Sequence, residues 1–508
     1  MRNEGLGWAM GTWTGGAGGP WAEVRETHSG VVVLVGERAY KAKKPVDLGF
    51  LDFTSLAARQ RACSREVELN RRLSPDVYLG VGRLEQPDGP AEPVVVMRRM
   101  PDDRRLATLV RHREPVEADL RDLAHRIAAL HARSARSPEI DAAGSRDSLR
   151  ARWADTFRQV RPFHGPVLDP TQAQDVERLT LRFLAGRGPL LDARVRRGCI
   201  VDGHGDLIAE DVFCLPDGPR VLDCLEFDDR LRHLDRIDDA AFLAMDLERL
   251  GAPEEAARFL GWYQELSGDW SPPALVHHYI AYRAFVRAKV ACLRHAQGSR
   301  RAPAQARALT ALAHRHLVSG AVALTLVGGL PATGKTTVAG LLADRFGMVV
   351  IGSDRVRKEL AGLTPERSAR SGYRQGIYSA EHTRATYAEM LRRAEALLGM
   401  GEPVVLDASW ADLANRSRAR AVAELCSADL VELRCEAPPH VAAARMAGRP
   451  GPSDADPVVA ARMAEDMAPW PEATSVATTA PPESTMMRVV DRFGRRQPPI
   501  TRPPAARP

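Results

Sequence analysis

The sequence predicts two successive α/β domains: a mixed α+β domain over residues 23–300 and a parallel α/β domain over 321–490. Three observations carry this. The chain has 508 residues with 44% hydrophobic and 27% charged side chains, enough for two or three cores of ordinary soluble composition. Its first half opens on strands joined by tight turns and then becomes helical. Its second half alternates continuous apolar strands with helices, the signature of a buried parallel sheet.

Residues 1–22 are rich in Gly and Trp without period and read as a disordered lead-in. Val31 to Glu37 and Arg38 to Lys43 form a hairpin with its turn near Gly36. Apolar residues at helical spacing predict a helix over 55–73, and Pro93 to Met97 is a further strand. Residues 105–132 are helical, 134–148 a polar loop, and 149–187 helical again. Ile200 to Leu225 alternates strands with tight turns, of which Pro216-Asp217-Gly218 is the clearest. Residues 234–320 are helical, with breaks at Gly268 to Pro273 and Gln297 to Pro303, so 301–320 is a linker helix. Ala323 to Val327 then begins the second domain as a buried strand. Val349-Val350-Ile351 and Val404-Val405-Leu406 are further buried strands with helices between them. The Arg- and Pro-rich stretch 491–508 reads as a disordered tail, and no internal repeat is visible.

The net charge is +6, and the 71 basic side chains are scattered, whereas a nucleic-acid footprint clusters. Only six of them are lysines: Lys41, Lys43, Lys44, Lys289, Lys335 and Lys358. In a chain that uses Arg for generic positive charge, a Lys marks a place wanting a compact ammonium. The seven cysteines (63, 199, 214, 224, 292, 426 and 435) form no CxxC pair. They read as reduced, buried thiols of a cytoplasmic protein. No signal peptide and no membrane span is legible.

Gly329-Leu330-Pro331-Ala332-Thr333-Gly334-Lys335-Thr336 fits the P-loop pattern, and both flanks are right: an apolar strand before it and the helix Thr337–Phe346 after it. Glycines let backbone N–H groups turn inward around phosphate oxygens, and the helix N-terminus adds positive charge. The expected ATP contacts are residues 329–336 with Thr337. Lys335 reaches the β- and γ-phosphates and Thr336 ligates Mg²⁺. Asp354 and Asp407 each follow a strand, where ligands bind in open α/β sheets. Asp354 is the candidate base for an attacking hydroxyl, Arg357 the holder of a substrate phosphate or carboxylate, and Asp407 the Mg²⁺-orienting carboxylate.

The segment 321–475 resembles the small P-loop kinases, the group that includes polynucleotide, gluconate and nucleoside monophosphate kinases. Asp354-x-x-Arg357 is similar to the substrate motif of polynucleotide 5′-kinases. Arg445-Met446-Ala447-Gly448-Arg449, followed by Ser453-Asp454-Ala455, resembles their lid, so Arg445 and Arg449 would close over the γ-phosphate. A mechanical ATPase fits poorly. Asp407 is followed by Ala408, leaving no second carboxylate to activate water.

A second centre is Gly203-His204-Gly205-Asp206-Leu207 with Val221-Leu222-Asp223-Cys224-Leu225-Glu226. Upstream, Lys41 and Lys43 share one strand face, and Arg65-Glu66-Val67-Glu68-Leu69 lies on the next helix. Lysine strand, glutamate helix, hinge, catalytic loop and metal aspartate stand in the order of the protein-kinase scheme. Residues 24–295 resemble the aminoglycoside phosphotransferase branch of that kinase-like fold. Ile127-Ala128-Ala129-Leu130-His131 and Asp239-Ala240-Ala241-Phe242-Leu243 are similar to it as well. The whole chain resembles bacterial bifunctional aminoglycoside phosphotransferase/ATP-binding proteins. The resemblance implies that Asp206 is the base, that Asp223 holds Mg²⁺, and that Lys43 (or Lys41) contacts the α/β-phosphates and pairs with Glu66. The family's catalytic loop carries Asn five residues after the Asp. This chain has Asp211 there, a carboxylate that can still ligate metal but adds negative charge. His204 reads as a structural histidine bonded to backbone.

The expected function is therefore ATP- and Mg²⁺-dependent transfer of the γ-phosphate to a hydroxyl of a small molecule. The runners-up are a polynucleotide 5′-hydroxyl kinase and a regulatory ATP-binding protein with an inert N-terminal domain.

Overall fold

The computed structural model describes residues 22–26, 30–47, 52–86, 89–364, 374–447 and 457–490. The expected lead-in up to residue 21, the tail, and Gly448, Arg449 and Ser453-Asp454-Ala455 of the expected lid lie outside them, while Ala22 already belongs to the first strand. By compactness the chain divides into two units, residues 1–144 with 198–270, and residues 145–197 with 271–508.

The first unit opens with β1 (Ala22–Glu26), β2 (Gly30–Val35) and β3 (Arg38–Lys43), followed after a helix by β4 (Tyr78–Gln86) and β5 (Gly89–Arg98). They form one antiparallel sheet in the order β1-β2-β3-β5-β4. The helix Leu56–Asn70 starts at Ser55, whose side chain accepts the Ala58 N–H, satisfying one of the orphan donors of a helix start. It buries Cys63 and Val67 against Tyr78, Val95 and Met97 of the sheet, and carries Glu66 fully buried on that same face. Beyond the sheet, β6 (Ile200–Asp202) pairs with β9 (His233–Asp235), and β7 (Val212–Leu215) with β8 (Gly218–Val221). The turn at Pro216-Asp217 is the one the sequence predicts. The helix Arg236–Arg249, capped by the Asp235 side chain, runs through the core behind these short strands.

β4 belongs to the mostly stranded opening of the chain and lies close against β5; at Gly82 an added Cβ would sit 2.9 Å from the Val96 side chain. Two local expectations fail here for identifiable reasons. The stretch 134–148 is not all loop. Ser137 caps a short helix, Pro138–Ala143, with Pro at its first turn. The long helical stretches also break more often than expected, at Arg113 (φ 58°) and Gly251 (φ 89°), where left-handed backbone ends a helix.

The second unit holds β10 (Ala323–Gly328), β11 (Val349–Gly352), β12 (Val404–Asp407), β13 (Asp429–Glu436) and β14 (Thr474–Ala477). Every pairing is parallel and the order is β11-β12-β10-β13-β14. β10 is buried along its whole length, which explains its unbroken apolar sequence. β13 and β14 were not expected. Their residues, Asp429-Leu430-Val431-Glu432 and Thr474-Ser475, are too polar to read as buried strand. β10 lies between β12 and β13; the chain runs from it outward to β11, returns to β12 and then crosses to β13 on the other side, so the carboxyl end of β10 is a topological switch point. The helices Pro273–Ala296 and Ala302–Ser319 pack in this unit, with His277 Nδ1 2.8 Å from His316 Nδ1.

Candidate phosphate sites

In the second unit the switch point holds the P-loop. Gly329 has φ 134°, Ala332 61° and Gly334 88°, so the loop curls through conformations that favour glycine. Space enforces the first: a Cβ on Gly329 would lie 2.5 Å from the Cys435 carbonyl oxygen. Gly334 caps the helix Lys335–Phe346. The Lys335 ammonium donates to the Leu330 carbonyl at 2.8 Å across the mouth of the loop. Thr336 Oγ1 donates to Asp407 Oδ2 at 2.7 Å.

Register explains why these groups meet. Both Val327, at the end of β10, and Gly352, at the end of β11, stand opposite Asp407. Asp354 follows two residues beyond Gly352 on the first turn of the helix Ser353–Leu360. It is partly exposed, and the Arg357 guanidinium donates to it at 3.3 Å. Arg357 also lies 4.7 Å over the Tyr378 ring, while its Nε is buried with no partner. Arg445 leans over the loop, donating to the Thr478 carbonyl at 2.7 Å and to Ala332 O at 3.4 Å. Thr478, which no motif marked, ties β14 to the loop by donating to Thr333 O at 2.7 Å.

In the first unit, the strand–helix pair assembles as expected but with a wider cast. Glu66 takes Lys41 on one carboxylate oxygen at 2.9 Å and Lys43 on the other at 2.6 Å. Lys41 also reaches Asp223 at 2.5 Å, and Lys43 reaches Glu226. Burial would push Glu66 up, but the two ammoniums outweigh it and hold it below the ordinary carboxylate range. The Lys41 charge likewise holds Asp223 low. Glu226 moves the other way, raised by burial that Lys43 only partly offsets. Asp223 has φ 64°, and its N–H donates to the Tyr78 hydroxyl at 3.1 Å. Tyr78 has no spacing signal, since it meets this cluster only through the fold; Glu226 closes the Val221–Glu226 segment, where no role was expected of it.

The loop Gly203–Leu207 hangs on Asp239. This buried carboxylate accepts the N–H groups of His204 (2.6 Å) and Gly205 (2.9 Å) and His131 Nε2 (3.0 Å). Despite its burial, the His131 contact holds Asp239 well below the ordinary range. Gly203 is required because a Cβ there would meet Asp239 Oδ2 at 2.5 Å. His204 is buried with Nε2 3.1 Å from Leu222 O, and burial lowers its pKa, the position of a structural histidine. Asp211 lies near both Asp206 and Asp223. Burial and these two charges push it well above the usual range.

Among the described residues no group of three His, Cys, Asp or Glu forms a metal cage. Mg²⁺ with a nucleotide needs none, since it is held by one or two carboxylates plus phosphates and water. The donor sets fit it: hard oxygens of Thr336 and Asp407 in one unit, Asp223 and Asp211 in the other, the latter pair with a surplus of negative charge. Among the described residues no helix is long and apolar enough to cross a membrane.

A parallel α/β P-loop domain preceded by a mixed α+β unit with its own lysine–carboxylate cluster is the class that fold and sites define. A family model described as an AAA domain matches residues 324–470. Uncharacterized proteins of Mycobacterium tuberculosis and Mycobacterium bovis are 44% identical over 469 residues, 92% of this chain and 94% of theirs. The chain belongs to the family of these mycobacterial proteins. Among solved structures, a choline/ethanolamine kinase family protein from Mesorhizobium loti is 15% identical and covers 59% of this chain and 93% of its own, with a TM-score of 0.35. A sugar kinase from Janibacter sp. is 18% identical and covers 34% and 93%, with a TM-score of 0.27.

Proposed function

We propose that this chain is an ATP- and Mg²⁺-dependent phosphotransferase that moves the γ-phosphate to a hydroxyl of a small molecule. The observation that carries it is the P-loop assembly, with Thr336 bonded to Asp407 at 2.7 Å beside the glycine cradle. In this reading the backbone N–H groups of residues 329–336 receive the phosphates. Lys335 exchanges the Leu330 carbonyl for phosphate oxygens. Thr336 and Asp407 would hold Mg²⁺, which would supply neutralisation of phosphate charge when bound. Asp354 takes the acceptor proton, Arg357 holds an anionic group of the acceptor, and Arg445 closes from above. The pairing of Arg357 with Asp354 supports a shared acceptor site, since the same contact orients the base. In the first unit Asp206 is the base, Asp223 and Asp211 are the metal carboxylates, and Lys41, Lys43 and Glu66 serve the nucleotide.

The test is ATP-dependent phosphate transfer into a cell-metabolite extract, read by mass spectrometry, with wild type, Lys335→Ala and Asp206→Ala. A new phosphorylated metabolite lost in one variant identifies the acceptor and the unit responsible. No product from any version, with ATP binding intact and lost in Lys335→Ala, would sink the small-molecule reading and favour nucleic-acid ends or regulation.

A further inference from the structure

Two lysines of one strand divide the work at the N-terminal site, and their partners say how. Lys43 is enclosed: its side chain is 2% exposed, and it sits between Glu66 and Glu226, 0% and 8% exposed. Both of its partners are buried or nearly so, which leaves little room for a group arriving from solvent to replace them. Lys41 differs. One of its partners is the same buried Glu66, but the other, Asp223, has a side chain 49% exposed. Asp223 is thus reachable from solvent, and it spends an oxygen on an internal cation.

The charge count sharpens this. Lys41 and Lys43 face Glu66, Glu226 and Asp223, with Asp206 and Asp211 close enough to act on one another. Asp211 stands where an uncharged Asn would leave less negative charge. Such a cluster needs counter-charge in any state, because unpaired buried carboxylates are costly. A cation arriving at Asp223 supplies it from outside. An ammonium already seated there must then leave, and its natural new partner is another anion.

We infer that Lys41 is a built-in counter-ion for Asp223, displaced when metal and nucleotide arrive together, so that the metal takes Asp223 while the phosphates take Lys41. This rests on the reading of the first unit as a nucleotide site. It assigns the phosphate contact to Lys41 and leaves Lys43 with Glu226 as a fixed brace. It also makes the binding of free metal and of metal-free nucleotide individually weak and mutually reinforcing, a coupling that is reciprocal by thermodynamic necessity.

The measurement is Mn²⁺ binding, followed by the loss of the free-ion electron paramagnetic resonance signal, on the full chain carrying Lys335→Ala to silence nucleotide at the P-loop. It is made with and without the non-hydrolysable analogue AMPPNP. In that background Lys41→Met should bind Mn²⁺ alone about tenfold more tightly, because its competitor is gone, yet bind Mn²⁺·AMPPNP more weakly. Adding Asp223→Asn should abolish the gain, which assigns it to this site rather than to Thr336 and Asp407. Lys41→Arg, which keeps the charge, should leave free Mn²⁺ binding as weak as before. Without metal, Lys41→Met should melt below the parent, because Glu66 and Asp223 lose a counter-charge, and should recover toward it when Mn²⁺ is added, whereas Lys41→Arg should melt as the parent does. If Mn²⁺·AMPPNP binds the parent but Lys41→Met leaves free Mn²⁺ affinity unchanged or lower, the counter-ion role is wrong and the nucleotide-site reading stands. If the parent binds no Mn²⁺·AMPPNP at all, the nucleotide-site reading of the first unit falls, and the inference with it.

Discussion

At the scale of single residues, the two sites are held by contacts that leave little freedom. Gly329→Ala forces a Cβ to within 2.5 Å of the Cys435 carbonyl at φ 134°. The backbone must shift, at a cost of about 1–3 kcal/mol, and the phosphate cradle shifts with it. Calorimetry should find ATP affinity at the P-loop lowered at least about tenfold; an unchanged affinity would mean the loop tolerates a side chain. His131→Phe tests the other site. It leaves the Asp239 carboxylate buried without its imidazole partner, and removing one member of a buried pair costs about 3–5 kcal/mol. Urea unfolding measures this, and a loss below about 1 kcal/mol would show that the contact does not stabilise the loop. Much of this was legible: the glycines, Lys335, Thr336, Lys41, Lys43, Glu66, Asp206 and Asp223 stand where motif and order put them. Tyr78 and Thr478 were not, because each reaches its site across a long stretch of sequence and only tertiary packing brings it there; Glu226 lies in the Val221–Glu226 segment, but its pairing with Lys43 shows only in the fold.

At the scale of elements, the helix Pro273–Ala296 carries two adjacent buried imidazoles. His277 faces His316, and burial pushes it down to about 3. His278 faces Arg152, stacks on Phe183 with centroids 4.0 Å apart, and takes the Trp153 indole N–H on Nε2; burial pushes it to about 3 as well. Both folded values lie below the unfolded one, so the unfolded chain binds more protons between about pH 3 and 6.5. Stability from these groups is therefore present above pH 6.5 and lost as the pH falls. Each imidazole contributes a slope of about 1.4 kcal/mol per pH unit in that window. His278→Phe removes one of them. Its stability deficit against wild type should shrink by about that slope per unit below pH 6, measured by denaturant unfolding. A deficit independent of pH would mean His278 titrates normally in the folded protein. Element boundaries were the weakest part of the sequence reading. β10 was plain because a strand covered on both faces is uniformly apolar. β13 mixes charged with apolar residues, and β14 at the sheet edge is a short run half made of Thr and Ser, so neither gives such a signal.

At the scale of the whole chain, two phosphate sites in two compact units should bind nucleotide separately. Calorimetry with AMPPNP and Mg²⁺ should count two nucleotides per chain in wild type and one in Lys335→Ala. A count of one that falls to none in Lys335→Ala would assign all nucleotide binding to the P-loop and leave the first unit as a scaffold. The sequence conveyed the tandem arrangement because each unit advertises its chemistry in a short local run, residues 329–336 and 203–206. It conveyed less about where the helices between them belong, since helical periodicity reveals a buried face but not its partner.

Transfer to an acceptor differs from hydrolysis in its products, and phosphorus NMR of ATP turnover in a small-molecule extract separates the two. A new phosphomonoester resonance should grow in step with ADP and be absent when the extract is omitted. Inorganic phosphate rising in step with ADP, with no phosphomonoester from any extract, would contradict transfer.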